Sequence, residues 1–301
     1  MSRISLSGIF PPIPTPFNVN EEIDYDRLQS NLDRWNKEPL SGYVVGGSNG
    51  EFVFLTVEER VQVVRAARQA IPRDRLVIAG SGMESTRETI DLTHRMAQVG
   101  ADVALLVTPN YYRSRMNVAA FEHHFRQVAD ASPIPVMLYS VPGNTALDLP
   151  AQAVIALATH PNILGLKDSG GDIVKIGLMA HETRQADFQI VAGSAGFFLA
   201  ALSVGAVGCV PALGNIAGGK LAQLLDCFKR GDLAGARAIQ LPLIEANTAV
   251  TSRFGVPGLK AAMDMLGYYG GPVRSPLLPL SETDTAELRR ILVKAGLPVL
   301  D

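Results

Sequence analysis

Eight short apolar runs, each followed by an amphipathic stretch, occupy the chain from near its start to about residue 230, and this alternation restricts the fold more than any other feature. The runs cover residues 8–13, 42–46, 76–79, 102–107, 135–139, 163–166, 189–192 and 206–210. Short apolar runs alternating with helical patterns argue a parallel sheet with crossover helices. The helical patterns begin near Asp24, Thr56, Ser85, Asn117, Leu149, Asp172, Ala195 and Gly218. Thr56 with Glu59 and Ser85 with Glu88 fit the capping box, and Pro150 fits a first helical position. Eight such units are what a closed (β/α)8 TIM barrel needs, at a usual size of about 250 residues. An open doubly wound sheet shares the alternation, but no G-x-G-x-x-G follows the first run, which leads instead into Pro11-Pro12-Ile13-Pro14-Thr15-Pro16. Beyond residue 230 the strand signals stop, and residues 232–252, 256–266 and 282–295 read as helices. The expected α/β architecture is therefore a TIM barrel over residues 1–230, holding the active site, with a C-terminal helical extension over 231–301 packed on the barrel or used for assembly.

Composition removes several function classes. A net charge of −2 and a pI near 6.2 leave no electrostatic footprint for nucleic acid or a membrane surface. No apolar run approaches the ~20 residues that span a bilayer. Cys209 and Cys227 make no disulfide framework and are expected as reduced, buried thiols. Strand-like residues begin by Gly8, so a cytoplasmic protein is expected, or one of the mitochondrial matrix if a transit peptide has been removed.

In such a barrel the chemistry sits at the carboxyl ends of the strands. Those ends are polar but nearly uncharged, with several hydroxyls and one amine, Lys167, closing the run Ile163-Leu164-Gly165-Leu166. Burying an ammonium is costly, and desolvation can leave a neutral amine able to attack a carbonyl; otherwise Lys167 lies just past the strand, solvated and inert. The six other lysines, Lys260 among them, fall in helical or polar surroundings. Gly47-Ser48-Asn49-Gly50 either turns N–H groups and a hydroxyl toward a small carboxylate or is a plain glycine turn. Tyr139 either shuttles protons or is a core tyrosine with a satisfied hydroxyl. Tyr111-Tyr112, followed by Arg113 and Arg115, is a solvated loop tip or a substrate-facing or interface loop. Gly193–Gly196 occupies the usual phosphate position of barrels but brings no lysine or arginine, which favours tight packing. His123-His124 are adjacent instead of i, i+4, so no metal site is expected, and Glu51 and Asp168 read as capping or salt-bridging residues.

Together Gly47-Ser48-Asn49-Gly50-Glu51, Thr108-Pro109 with Tyr111, Tyr139-Ser140-Val141-Pro142 and Gly165-Leu166-Lys167-Asp168-Ser169 resemble the dihydrodipicolinate synthase/N-acetylneuraminate lyase family of Schiff-base class I aldolases. The resemblance covers nearly the whole chain, in order, on four strands. Residues 47–51 with 54–56, 79–82, 167–172, 192–196, 253–255 and 267–272 are most similar to members that cleave 4-hydroxy-2-oxoglutarate. The resemblance implies an imine on Lys167, proton transfer by Tyr139 together with Ser48, and a pyruvate carboxylate held by Ser48 and Asn49. It further implies a relay completed by Tyr111, often from a neighbouring subunit, a pocket lined by Ser169 and Gly193, no cofactor, a small 2-oxo-acid substrate, and a homotetramer built as a dimer of dimers. One departure is clear: where dihydrodipicolinate synthases place a carboxylate-binding arginine after the tyrosine strand, this chain has Asn144, and Ser48-Asn49 replaces their paired threonines. The expected reaction is retro-aldol cleavage of 4-hydroxy-2-oxoglutarate to pyruvate and glyoxylate. The alternatives are dihydrodipicolinate synthesis, a 2-keto-3-deoxy sugar-acid aldolase or dehydratase, or a 2-oxo-acid sensor without turnover.

Overall fold

The computed structural model describes residues 4–300. Seven strands lie in sequence order in one parallel sheet: β1 (Gly42–Val45), β2 (Leu76–Gly80), β3 (Val103–Val107), β4 (Val136–Ser140), β5 (Ile163–Asp168), β6 (Gln189–Ala192) and β7 (Gly208–Cys209). The eighth position is filled by the segment expected as the first strand, but not as a regular one. Ile9 bridges Cys209 on β7 and Pro12 bridges Val44 on β1. Phe10 N–H donates to Cys209 O at 2.9 Å and Ile13 N–H to Val44 O at 3.0 Å, so the ring closes. Pro11 and Pro12 lack the N–H groups a continuous ladder needs, which reduces this strand to isolated bridges.

The helices are α1 (Tyr25–Trp35), α2 (Val57–Ala70), α3 (Thr86–Gln98), α4 (Val118–Ala131), α5 (Pro142–Thr145), α6 (Ala151–Leu157), α7 (Ile173–Glu182), α8 (Phe198–Ser203), α9 (Gly214–Lys229), α10 (Leu233–Thr248), α11 (Gly255–Met265) and α12 (Glu282–Lys294). Asp24, Thr56, Ser85, Asn117 and Asp172 each cap a helix with a side-chain oxygen, because that oxygen satisfies an otherwise orphaned N–H. The capping box at Thr56 and Glu59 is complete. At Ser85 only half forms: Ser85 accepts from Glu88 N–H, while the Glu88 carboxylate takes the Ser85 hydroxyl. Pro150 is the N-cap of α6 and not its first residue. The backbone kinks at Ala217 (φ −143°, ψ 32°), so the regular part of α9 begins near the expected Gly218. Both cysteines are free and buried. No helix of the described residues is long and apolar enough to cross a membrane.

Apolar side chains pack in two layers. The larger lies between sheet and helices. The smaller, with Phe10, Val44, Ile78, Met137 and Val191, fills the barrel interior, as alternation along parallel strands requires. Between β4 and β5 the register slips: Val136 faces Ile163 but Met137 faces Gly165, an extra residue at Leu164. A bulge of this kind re-aims the side chains beyond it. Beyond it Tyr139 pairs with Lys167, beside the interior residues, while Ser140 pairs with Asp168. Residue 165 must be glycine, because a Cβ there would stand 2.0 Å from Gln189 O on β6.

The helices after residue 232 reach the catalytic end. Gln240 on α10 donates to Ala195 O at 2.7 Å and accepts from Leu199 N–H, and Asn247 donates to the Ser194 hydroxyl at 3.0 Å. Lys260 on α11 contacts the loop after β1.

Candidate active site

Lys167 and Tyr139 close adjacent strands and face each other. The Lys167 amine lies 3.9 Å from the centre of the Tyr139 ring, and both residues are buried. The Tyr139 hydroxyl is 3.3 Å from Ser48 Oγ, at the loop after β1. Burial alone would raise the Tyr139 phenol, but the Lys167 charge and hydrogen bonds with Ser48, Lys167 and Ser169 hold it below its ordinary value near 10. Lys167, Tyr139, Ser48 and Ser169 therefore share one cluster, contributed by β5, β4 and the loop after β1.

The loop after β1 carries two 3-10 turns, Ser48–Gly50 and Phe52–Phe54, the first closed by Glu51 N–H donating to Ser48 O at 3.1 Å. Thr15 Oγ donates to Gly50 O at 2.7 Å and ties this first turn to the segment following the first barrel position. The Asn49 amide Nδ2 is buried without a hydrogen-bond partner among the described residues. A buried amide donor next to a serine hydroxyl is ready to accept a carboxylate, since an unpaired buried polar group is costly. Gly193, after β6, donates its N–H to Asp168 O at 2.6 Å, and a Cβ at this position would meet Ser169 Oγ at 1.9 Å. The glycine is there for close approach, in line with the tight packing expected of residues 193–196.

Tyr111, expected at the site, is not brought to the cluster by this chain. It sits on a loop after β3 whose N–H groups at Asn110 and Tyr111 donate to the Glu84 carboxylate. Its ring is 75% exposed and packs edge-on against Tyr112. Asn144 lies exposed on α5, the short helix that directly follows β4. Among the described residues no three His, Cys, Asp or Glu side chains are grouped to hold a metal ion.

Two groups of residues escaped sequence reasoning. Lys260, expected in polar surroundings, is more buried than Lys167, at 1% against 3% exposure. Its amine lies 2.6 Å from Glu51 Oε1, which confirms Glu51 as a salt-bridging residue and corrects the view of Lys167 as the single buried lysine. Behind the strand ends, Asp168 Oδ1 accepts from Gly170 and Gly171 N–H, and its Oδ2 lies 3.6 Å from Lys175. Burial raises the Asp168 carboxyl, and Lys175 only partly offsets this. Lys175 also contacts Asp148, which accepts from Ser140 Oγ at 3.0 Å. No spacing in the sequence marks either network.

A closed α/β barrel with an amine and a phenol facing each other at its carboxyl end has the architecture of the class I aldolases. The model of the dihydrodipicolinate synthetase family matches residues 5–295. The 4-hydroxy-tetrahydrodipicolinate synthase of Methanoculleus marisnigri is 36% identical over 96% of this chain and 99% of its own. Among solved structures, dihydrodipicolinate synthase DapA-2 of Bacillus anthracis superposes with a TM-score of 0.92 at 31% identity, covering 96% of this chain and 98% of that one. YagE, a prophage protein from E. coli K12 of the dihydrodipicolinic acid synthase family, solved in complex with pyruvate, gives 0.90 at 31% identity over 97% and 99%. The chain belongs to the dihydrodipicolinate synthetase family.

Proposed function

We propose that this chain is a pyruvate-class lyase working through an imine on Lys167. The observation that carries the reading is a lysine amine buried at the end of β5 against the Tyr139 ring, with no carboxylate within ion-pair distance among the described residues. The free amine attacks C2 of the 2-oxo acid, a C–N bond forms, and the carbonyl oxygen leaves as water. The iminium then draws electrons from the adjoining carbon, an electron sink that needs no metal. Ser48 and Asn49 hold the carboxylate of the pyruvate unit, with Ser169 and Gly193 lining the pocket. Tyr139, in contact with Ser48, moves protons to and from the reacting oxygen. In the condensing direction the enamine carbon attacks an aldehyde; in the cleaving direction the same bond breaks. Water then hydrolyses the imine and frees Lys167.

For the aldehyde partner the relatives favour 4-hydroxy-tetrahydrodipicolinate synthesis, reversing the order the motifs suggested. Cleavage of 4-hydroxy-2-oxoglutarate stands as the second reading on one observation: uncharged Asn144 occupies the position at which the synthase motif carries arginine. The pyruvate complex of YagE supports the part common to both. The same reading takes the exposed Tyr111 into a neighbouring subunit's relay, within a tetramer built as a dimer of dimers.

Borohydride trapping with pyruvate, read by mass spectrometry on wild type and Lys167→Ala, tests the imine. A pyruvyl adduct at Lys167, absent from the variant, is expected. Binding without any adduct in the wild type would overturn the reading and leave a 2-oxo-acid-binding barrel. Parallel assays of the two reactions rank the substrates, and sedimentation together with turnover of Tyr111→Phe tests the assembly.

A further inference from the structure

The most deeply buried ion pair among the described residues lies outside the reacting groups, directly behind the turn that presents Ser48 and Asn49. Glu51 follows that turn in the left-handed region (φ 55°, ψ 34°), which residues other than glycine adopt infrequently and hold only when their surroundings enforce it. Both of its carboxylate oxygens are engaged. Oε1 lies 2.6 Å from the Lys260 amine on α11, and Oε2 accepts from Arg274 N–H at 2.9 Å. Lys260 also donates to Pro272 O at 2.8 Å and stands 4.4 Å from the centre of the buried Phe17 ring. The Arg274 guanidinium lies at the same distance from that ring, donates to Phe54 O at 3.0 Å, and pairs with Glu59 of the α2 capping box at 2.8 Å. Residues 51–59 are thus fastened to residues 260–274 by one buried ion pair, Glu51–Lys260, and one half-buried pair, Glu59–Arg274.

A buried ion pair is weak support for stability, because desolvation offsets much of its attraction; its best attested use is to fix one arrangement against alternatives. Here the arrangement it fixes is the turn. Glu51 N–H closes the turn onto Ser48 O, while Thr15 fixes Gly50 O from the other side. Rotating Glu51 out of the left-handed region would move the Ser48 hydroxyl away from Tyr139 and re-aim the unpartnered Asn49 amide.

We propose that Glu51 and Lys260 are positioning residues for the substrate carboxylate: the C-terminal helical extension, through Lys260 and the backbone of Arg274, holds the Ser48–Asn49 turn in its binding geometry. This rests on the assignment of Ser48 and Asn49 to the pyruvate carboxylate. Lys260 itself is no second nucleophile, since the Glu51 carboxylate occupies its amine. The consequence is a separation of effects. Lys167 and Tyr139 are carried by β5 and β4, whereas the pair acts only through the Ser48–Asn49 turn, so its loss falls first on capture of the 2-oxo acid and only secondarily, through the Ser48–Tyr139 contact, on the later chemistry.

The test is the double variant Glu51→Gln/Lys260→Met, which removes both charges and leaves neither orphaned. Borohydride trapping at Lys167 is followed against pyruvate concentration by mass spectrometry, alongside steady-state kinetics and a thermal melt. The expected result is a rise of about tenfold or more in half-saturating pyruvate and in KM, with kcat within about threefold of wild type; a tenfold change is the loss of about one hydrogen bond to a charged group. A folded variant with wild-type half-saturation, or one in which kcat alone falls, overturns the proposal. A merely structural role would lower the melting temperature and the active fraction without moving half-saturation. Should the double variant not fold, Glu51→Gln alone, equal in size, carries the same readout. Failure of the underlying reading is seen separately, as absence of a Lys167 adduct in the wild type.

Discussion

Gly193→Ala tests whether the backbone approach between β5 and β6 sets the position of Lys167. A Cβ at residue 193 would lie 1.9 Å from Ser169 Oγ and 2.8 Å from both Asp168 O and Ser169 Cα. The serine hydroxyl can rotate away, but the two main-chain atoms cannot. Non-bonded carbon contacts settle near 3.5–4.0 Å, so the strand ends must part by at least roughly half an ångström. Overpacking of this kind costs about 1–3 kcal/mol. In a chain of this size that is a fall of about 2–6 °C in Tm. The larger effect is on chemistry, because Asp168 and Ser169 directly follow Lys167, and misplacing reacting groups by ~1 Å can cost about 100-fold in rate. We therefore expect Gly193→Ala to lose about 10- to 100-fold in the rate of imine trapping, with a modest drop in Tm. Gly143→Ala is the control: nothing lies within 4 Å of its Cβ, and α5 is helical there. A Gly193→Ala protein that traps pyruvate at the wild-type rate, or losses matched by Gly143→Ala, would refute the argument.

Tyr139→Phe keeps the ring against Lys167 but removes the hydroxyl; turnover should fall by about 10²–10⁴-fold while a pyruvyl adduct still forms, and full turnover would remove Tyr139 from proton transfer. Because the Tyr139 phenol lies below its ordinary value, a wild-type rate limited by its protonated form should decline with rising pH before 10, and this limb should vanish in the variant. Asn144→Arg should shift the kcat/KM ratio toward the synthase reaction if residue 144 meets the aldehyde's carboxylate, and an unchanged ratio would exclude it. His124 is buried, with Nδ1 on Thr86, and burial followed by the charge of His123 lowers it from 6.5 to about 4. A depressed histidine gives stability that is present above pH 6.5 and lost as pH falls toward 4, here up to roughly 3 kcal/mol. Melts of wild type and His124→Gln should therefore diverge with acidification, the wild type losing more, and parallel curves would contradict the assignment.

What could be read in the chain was whatever depends on neighbours close in sequence. The strand–helix alternation, the capping box at Thr56, and the helix starts near Asp24, Asn117 and Gly218 all depend on residues within a turn or two. Lys167 stood out because an amine ending an apolar run conflicts with local burial. The prolines that reduce the first strand to bridges were visible, but their effect depends on which side faces β1 and which faces β7. The bulge at Leu164, which puts Lys167 opposite Tyr139, is a property of two strands paired and is marked in neither alone. The Tyr111 loop was legible as a loop tip or facing loop, while a relay role for Tyr111 came only from the family resemblance, and in this chain its ring is exposed.

Lys260 sharpens the point, because the argument that singled out Lys167 applies to it with greater force. Both amines are buried, yet they differ in what stands beside them: Tyr139 and hydroxyls for one, a carboxylate at 2.6 Å for the other. Burial therefore identifies neither a nucleophile nor a strut. The counter-charge does, and here it comes from a residue on the far side of the barrel sequence. Here α11 supplies the cation that faces the acid behind the Ser48–Asn49 turn. The Glu51 carboxylate sits two residues beyond Asn49, so the charge that fixes the loop would repel an anionic substrate were it not neutralised on the opposite side by Lys260.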